Sequence, residues 1–449
     1  MTKFWSREDK VACIRIAIQC AKLLNDTTTP LFYPQKFILL TDILDNFSEL
    51  VRGRMRKLTK IHSNDRIIIT DENEDTTDFT QIPDKVKEIS RNWFNKVSCI
   101  REVLPRIYLE LAMLSFQKYM QRRVHQSDLV RLAKMIRGIA EPLCASYTCA
   151  YLARVGNQLD PTNKDYLLLM VEYMFKLYDN VMQAGHDQLP DDQYQSLFDP
   201  TVDWLIQCYA YQADRKQFQE IWQLYQNHPK HAIFLKSIIR YFPSEIISVT
   251  VQIMINSIST DFAGNLESAD EIKRKKAIDD QLMLIKELGL ALLRCHPKKN
   301  KSKLDFINFG WERMGQTQNP DKYMDCSIVL IEFSIKSLNQ ASVQTFIKEI
   351  FKRFQDFALS MNADDALFKK LEFLLAKVMM TSNDFSELIG FENLLGLLNY
   401  FPQNMKQKLC EKMLGFYCAA PEKLSDGFLI HSVFQVAKTL HDKIDFMSE

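Results

Sequence analysis

Apolar residues return at three- and four-residue spacing along almost the whole chain, and no other feature restricts the fold as much. In residues 11–24, Ile14, Ile18, Ala21 and Leu24 fall on one helical face. Phe37, Leu40, Ile43, Leu44, Phe47, Leu50 and Val51 repeat the pattern, as do Tyr166, Leu169, Met170, Tyr173, Met174, Leu177 and Tyr178. Residues 282–293, 328–338, 346–359 and 367–380 behave alike. Strict apolar/polar alternation is missing. The nearest strand candidate is residues 66–70, with a short Ile67-Ile68-Ile69 centre followed by charge.

The breaks carry helix-ending chemistry. Asn25 to Pro30 ends one helix and delays the next, and Asp160-Pro161-Thr162 supplies a stop and a cap. Tyr241-Phe242-Pro243-Ser244 sets a serine before a new apolar run, as an N-cap should be, and Tyr400-Phe401-Pro402-Gln403 resembles it. Roughly nineteen helices with short connections result. One bundle cannot hold them, because single cores stop growing near about 250–300 residues. Stacked hairpins can, each burying its face against its neighbours. The expected fold is therefore all-α: a right-handed α-solenoid of stacked HEAT-like helical hairpins, running through residues 1–449 as one unit. Residues 60–85 depart from the pattern. They are polar, contain the acidic run Asp71-Glu72-Asn73-Glu74-Asp75, and read as an exposed, mobile insertion.

Charge and composition remove several function classes. Lys+Arg 57 against Asp+Glu 56 gives a net charge of +1, which argues against a nucleic-acid binder. Only 12 glycines leave few phosphate-cradling loops, and no nucleotide-loop, zinc-protease, serine-hydrolase or calcium-loop motif occurs. No cofactor and no metal is expected. The ten cysteines show no CxxC pair, and the chain opens MTKFWSREDK, charged where a signal peptide would be apolar. Free, mostly buried thiols in a reducing cytosol fit best. No run of 18 uncharged apolar residues suggests a membrane span.

The residues that could carry chemistry mostly have structural readings. His228 and His231 flank Pro229, which suits an interhelix turn better than a metal site. Cys144 and Cys149 sit among small and apolar residues, as core thiols do. His186-Asp187 follows Gly185, a helix C-cap candidate, and is a poor dyad. Lys273-Arg274-Lys275-Lys276 is flanked by Asp270, Glu271, Asp279 and Asp280, so it reads as a solvated face; residues 297–303 (PKKNKSK) form a separate basic loop. Trp204, Tyr209, Tyr211, Phe218, Trp222 and Tyr225 read as the filling of a hairpin interior.

The most informative stretch runs from Arg101 to Glu110. Pro105 fits the first turn of a helix, Leu104 and Tyr108 share one face, and Ile107 and Leu111 share another. Arg106 then lies at the helix start, where the dipole disfavours a cation. Such a charge wants an acidic partner, on the neighbouring hairpin or on another protein.

Pro105-Arg106-Ile107-Tyr108-Leu109 resembles the PRLYL motif of the large α-solenoid subunits of retromer and its relative retriever. Ile136-Arg137-Gly138-Ile139-Ala140-Glu141-Pro142-Leu143 is similar to a second region of that family, although residues 144–152 depart from it. Residues 32–45 and Asn92-Trp93-Phe94 are closer to the retriever branch. The similarity runs along most of the chain, with its sharpest motifs between residues 30 and 155.

The resemblance implies a non-enzymatic scaffold, cytoplasmic and endosome-associated. Its partners would be an arrestin-fold subunit near the N-terminal end and a metallophosphoesterase-fold subunit near the distal end. Subunits of the Commander assembly and a sorting nexin adaptor would complete it, with membrane contact made through partners and no nucleic acid involved. Such assemblies recycle cargo from endosomes to the plasma membrane. The motif nominates Pro105, Arg106, Ile107, Tyr108 and Leu109 as partner-binding; Glu110 replaces a residue usually apolar in retromer and is not carried over. Family members are much longer than 449 residues, so the chain is expected to be incomplete and largely to lack the distal site. The competing readings are a retromer-type scaffold for endosome-to-Golgi transport, a proteasome-lid or nuclear-transport type of helical-repeat adaptor, and an all-α enzyme with a site in the solenoid concavity.

Overall fold

The computed structural model describes residues 2–62, 82–115, 126–184, 189–262, 270–338, 340–360, 365–381, 401, 403–419 and 426–441. Among the described residues every regular element is a helix, as the spacing requires. The chain divides by its contacts into two compact units, Met1–Pro243 and Ser244–Glu449.

The first unit holds α1 (Thr2–Ser6), α2 (Lys10–Leu23), a 3-10 turn (Pro30–Phe32), α3 (Tyr33–His62), α4 (Asp84–Ser98), α5 (Val103–Met113) and α6 (Gln126–Ile136). It continues with α7 (Pro142–Leu159), α8 (Asp165–Ala184), α9 (Asp191–Ser196), α10 (Asp199–Ala210), α11 (Arg215–Asn227) and α12 (Ala232–Tyr241). Helices pack on near neighbours in sequence: α5 lies against α2, α3, α4, α6 and α7, and α10 against α7, α8 and α12. The second unit holds α13 (Ser244–Asp261), α14 (Glu271–Arg294), α15 (Asn300–Met314), α16 (Pro320–Ser337), α17 (Gln340–Ser360), α18 (Asp365–Thr381), α19 (Gln403–Ala419) and α20 (Gly427–His441). There α14 packs on α13 and α16, and α16 on α18. Within each unit this next-but-one packing is the stacked-hairpin pattern of an α-solenoid.

Local chemistry sets the boundaries. Asp214 and Gln217 form a reciprocal capping box at the start of α11. Asn319 accepts from the amides of Asp321 and Lys322, and Pro320 opens α16 where no amide is needed. Asp160 is the C-cap of α7, and its carboxylate accepts from the amide of Thr162 at 3.0 Å; α8 begins only at Asp165, so the side chain shapes the turn and does not cap the next helix. Ser244 is the first residue of α13, beside the expected cap position.

Packing is dense where glycine admits it. A Cβ on Gly289 would sit 3.2 Å from the Phe306 ring and closer still to a Val329 methyl, so glycine there lets α14 approach α15 and α16. Each fully buried Leu, Ile or Phe in these interiors contributes about 1.5–3 kcal/mol relative to exposure.

Of residues 60–85, residues 63–81 lie outside the described ones, as does the strand candidate at 66–70. Lys60 still belongs to α3, and Asp84 and Lys85 open α4, which narrows the insertion. Gly185, His186 and Asp187 also lie outside the described residues. His228 closes α11 and stacks on Phe175 at 5.1 Å. His231 precedes α12 and meets Tyr178 at 4.9 Å. In the aromatic stretch Tyr209, Phe218, Trp222 and Tyr225 are buried, whereas Trp204 and Tyr211 face solvent.

Candidate partner-binding site

The two family-like stretches meet in space. The end of α2 (Lys22, Asn25), the first turn of α5 (Val103, Leu104, Pro105) and the loop before α7 (Gly138, Ile139, Ala140) enclose a cleft of about 330 Å³. Lys22 Nζ lies 2.5 Å from Glu102 Oε1 and ties α2 to the start of α5. The loop closes with Gly138 N–H donating to Met135 O and Ile139 N–H donating to Ile136 O, both at 3.0 Å. Pro142 then begins α7. Spacing along the chain gave no hint that residues 101–110 and 136–143 share a wall.

The five nominated residues are placed very unequally. Ile107, Tyr108 and Leu109 have no exposed surface, and Pro105 is buried while lining the cleft. Tyr108 stacks on Tyr151 with ring centres 5.2 Å apart, and its hydroxyl is hydrogen-bonded to Thr148 Oγ1 at 3.3 Å. Tyr151 in turn donates to Asp45 Oδ1 at 2.8 Å, and Arg154 reaches Asp45 Oδ2 at 2.6 Å. Burial holds the phenol of Tyr108 far above its ordinary pKa, so it stays neutral. The motif thus locks α5 against α7 and, through Tyr151, against α3.

Arg106 is one-third exposed, and its partner is Glu110, one turn on in its own helix. Arg106 Nε donates to Glu110 Oε1 at 2.7 Å, and Arg131 of α6 donates to Glu110 Oε2 at 2.7 Å. Glu110 is only 5% exposed. A buried carboxylate needs such charge-assisted partners, so the residue that departs from the retromer pattern satisfies the arginine that the pattern supplies.

A surface signal beside the motif was missed. Leu31, Phe32, Ile38 and Leu39 are 53–61% exposed, whereas Leu40 is buried. Leu31 and Phe32 belong to the 3-10 turn and Ile38 and Leu39 to the second turn of α3, so apolar side chains are left in solvent on both sides of the start of that helix, an apolar strip in sequence. The run Ile38-Leu39-Leu40 announces it, because three consecutive apolar residues cannot all face one core. Val103, which lines the cleft, and Leu23 at the end of α2 are exposed as well. Large apolar side chains exposed this close together in sequence make the segment a candidate interaction face.

Cys144 and Cys149 are core thiols: both are fully buried, and burial pushes them up to about 11 and about 12. Among the described residues no group of three or more His, Cys, Asp or Glu side chains is placed to hold a metal ion. No described helix is long and apolar enough to cross a membrane.

Fold and site together define an all-α helical-repeat protein with a candidate docking face in its first unit. Two family models match it, VPS35L over residues 1–197 and the VPS35L C-terminal domain over residues 213–449, and the chain belongs to the VPS35L family. It is 30% identical to the human VPS35 endosomal protein-sorting factor-like over 461 aligned residues, covering 99% of this chain and 44% of the human protein. The Dictyostelium discoideum relative is 29% identical, covering 100% of this chain and 44% of its own length, and the Drosophila melanogaster relative is 26% identical, covering 99% and 45%. The chain therefore spans less than half the length of these curated relatives.

Proposed function

We propose that this chain is a non-enzymatic scaffold for endosomal protein sorting of the retriever type. Its first unit holds an arrestin-fold subunit, and the assembly returns cargo from endosomes to the plasma membrane. VPS35L family membership supports the sorting-scaffold part. The observations that support the partner assignment are the convergence of residues 103–105 and 138–140 on one cleft and, in the same unit, the exposed Leu31, Phe32, Ile38 and Leu39. In this reading Pro105, Ile107, Tyr108 and Leu109 shape the platform from inside. Arg106 and the apolar strip are what a partner meets. Interfaces of this kind draw most of their affinity from a few apolar and arginine anchors.

The metallophosphoesterase-fold subunit, the Commander subunits and the sorting nexin adaptor belong to the same proposed assembly, and residues are assigned to none of them. The chain would sit in the cytoplasm at the endosomal surface.

The test is co-purification of residues 1–449 with the retriever-type arrestin-fold subunit, beside the retromer-type one. A stoichiometric complex with the retriever-type subunit alone is expected, lost in Ile38→Asp/Leu39→Asp. A complex with the retromer-type subunit alone would move the chain to the other route. No complex with either, from folded monodisperse protein, would remove the arrestin-fold assignment.

A further inference from the structure

The second unit carries two lysine-rich clusters of opposite standing. The cluster at 273–276 opens α14 among acids: Asp270 caps the helix and lies 3.9 Å from Lys273, and Glu271, Asp279 and Asp280 surround the run. The other runs from the α14–α15 connection into the first turn of α15. It holds Lys298, Lys299, Lys301 and Lys303, and no acidic residue occurs from Leu288 through Leu304. Lys298, Lys299 and Lys301 are exposed, and none of the four is ion-paired among the described residues. Lys299 precedes α15 without any side-chain cap, so the open amides of that helix add positive potential at the same end. Leu304, 46% exposed, stands one turn beyond Lys301.

His296 and Lys336 adjoin this end. The His296 ring stacks on Phe333 at 5.4 Å, and burial, then Lys336 and Lys303, lower its pKa, so it adds no charge at neutral pH. The acids facing the cluster are few. Glu332 pairs with Lys336 at 3.7 Å and Lys377 at 3.1 Å, and Asp305 follows Leu304. Among the described residues, Lys298, Lys299, Lys301 and Lys303 are thus left without an ion-pair partner.

We infer that the α14–α15 connection, Lys298 to Leu304, is a direct contact site for an anionic lipid bilayer. Lysine suits a diffuse anionic surface: it is a compact point charge, whereas arginine supplies the planar fork that grips one carboxylate or phosphate. Four lysines within six residues at a helix-hairpin end can approach a plane together, and an adjacent exposed leucine can enter the headgroup region. This contact is independent of arrestin-fold binding, since it uses the other compact unit.

The experiment is co-sedimentation of the full 449-residue chain with phosphatidylcholine vesicles containing about a third phosphatidylserine, beside pure phosphatidylcholine vesicles. Binding to the anionic vesicles only is expected, weakened roughly fivefold for each lysine neutralised and largely released when salt rises from about 0.1 to 0.5 M. Lys298→Gln/Lys299→Gln/Lys301→Gln should abolish it with circular dichroism unchanged, and Lys273→Gln/Lys275→Gln should not. Equal binding to neutral vesicles, or undiminished binding of the triple variant, would overturn the assignment. Retention on immobilised polyglutamate with no vesicle binding would also overturn it, in favour of an acidic protein partner.

Discussion

Residues 105–109 and residues 31–39 both lie in stretches that resemble one family, and they do opposite things. The first group is almost wholly interior: Ile107, Tyr108 and Leu109 are fully buried, and Tyr108 is tied to α7 by stacking and a hydrogen bond. The second leaves Leu31, Phe32, Ile38 and Leu39 in solvent. A motif recognisable in sequence therefore need not be the surface a partner touches. It is as well explained by the shape it imposes on its neighbours, while the less distinctive run at 31–39 is the exposed surface proposed above for the contact.

The largest effect that would break this comparison is at Tyr108. Tyr108→Ala removes a fully buried ring and should cost about 3–5 kcal/mol, read as an earlier unfolding transition in a denaturant titration of the 449-residue chain. Binding of a partner would fall only as the unit unfolds. Near-native stability with binding lost would reverse the assignment and make Tyr108 a contact residue.

Next is the Arg106–Glu110–Arg131 bridge. Removing one partner of a buried charge pair costs about 3–5 kcal/mol, but both arginines here are a third or more exposed and can be rehydrated. Glu110→Gln should therefore cost about 2 kcal/mol and Arg106→Ala about 1 kcal/mol. Arg106→Glu should be worse than Arg106→Ala, because it sets a second carboxylate one turn from a buried one. A double-mutant cycle of Arg106 and Glu110 measures the coupling directly. No coupling, with partner binding lost in Arg106→Ala, would assign the arginine wholly to an interface.

How much of this was legible follows from where each signal resides. Helix type was readable because 3.6-residue periodicity is local, and it holds in α3, α8, α14 and α16 alike. That Arg106 at a helix start needs an acid was readable too. Its partner was one turn away, but only the fold shows that Glu110 is buried and shared with Arg131 of α6. The cleft joining residues 103–105 to 138–140 depends on how α2, α5 and α7 stack, which no local pattern encodes. The same holds for the aromatic stretch: Trp204 and Tyr211 read as core residues in the sequence, yet both are exposed.

The exposed strip sharpens the comparison from the other side. Ile38→Asp/Leu39→Asp should leave stability within about 0.5 kcal/mol, because neither side chain is buried. Affinity for the arrestin-fold subunit should fall more than about tenfold if these are anchors. Unchanged affinity, by titration calorimetry on folded protein, would leave the strip without a role in that contact.

The smallest effect concerns the ion pair that pins the start of that strip. Lys36 Nζ lies 2.9 Å from Asp26 Oδ2, and Thr28 donates to the other oxygen at 2.7 Å. The Lys36 hydrogen bond first, then those from Thr28, hold the Asp26 carboxyl well below the usual carboxylate range. A folded-state pKa lowered in this way stabilises the fold above the unfolded aspartate value of about 4, and that contribution is lost as pH falls through the lower folded value. The pair is open to water, so the effect is small. The stability gap between the parent chain and Asp26→Asn should be constant from about pH 6 to 8 and should close progressively below about pH 4. A gap that persists in acid would mean that Asp26 acts through turn geometry alone, and that charge has no part in setting the strip.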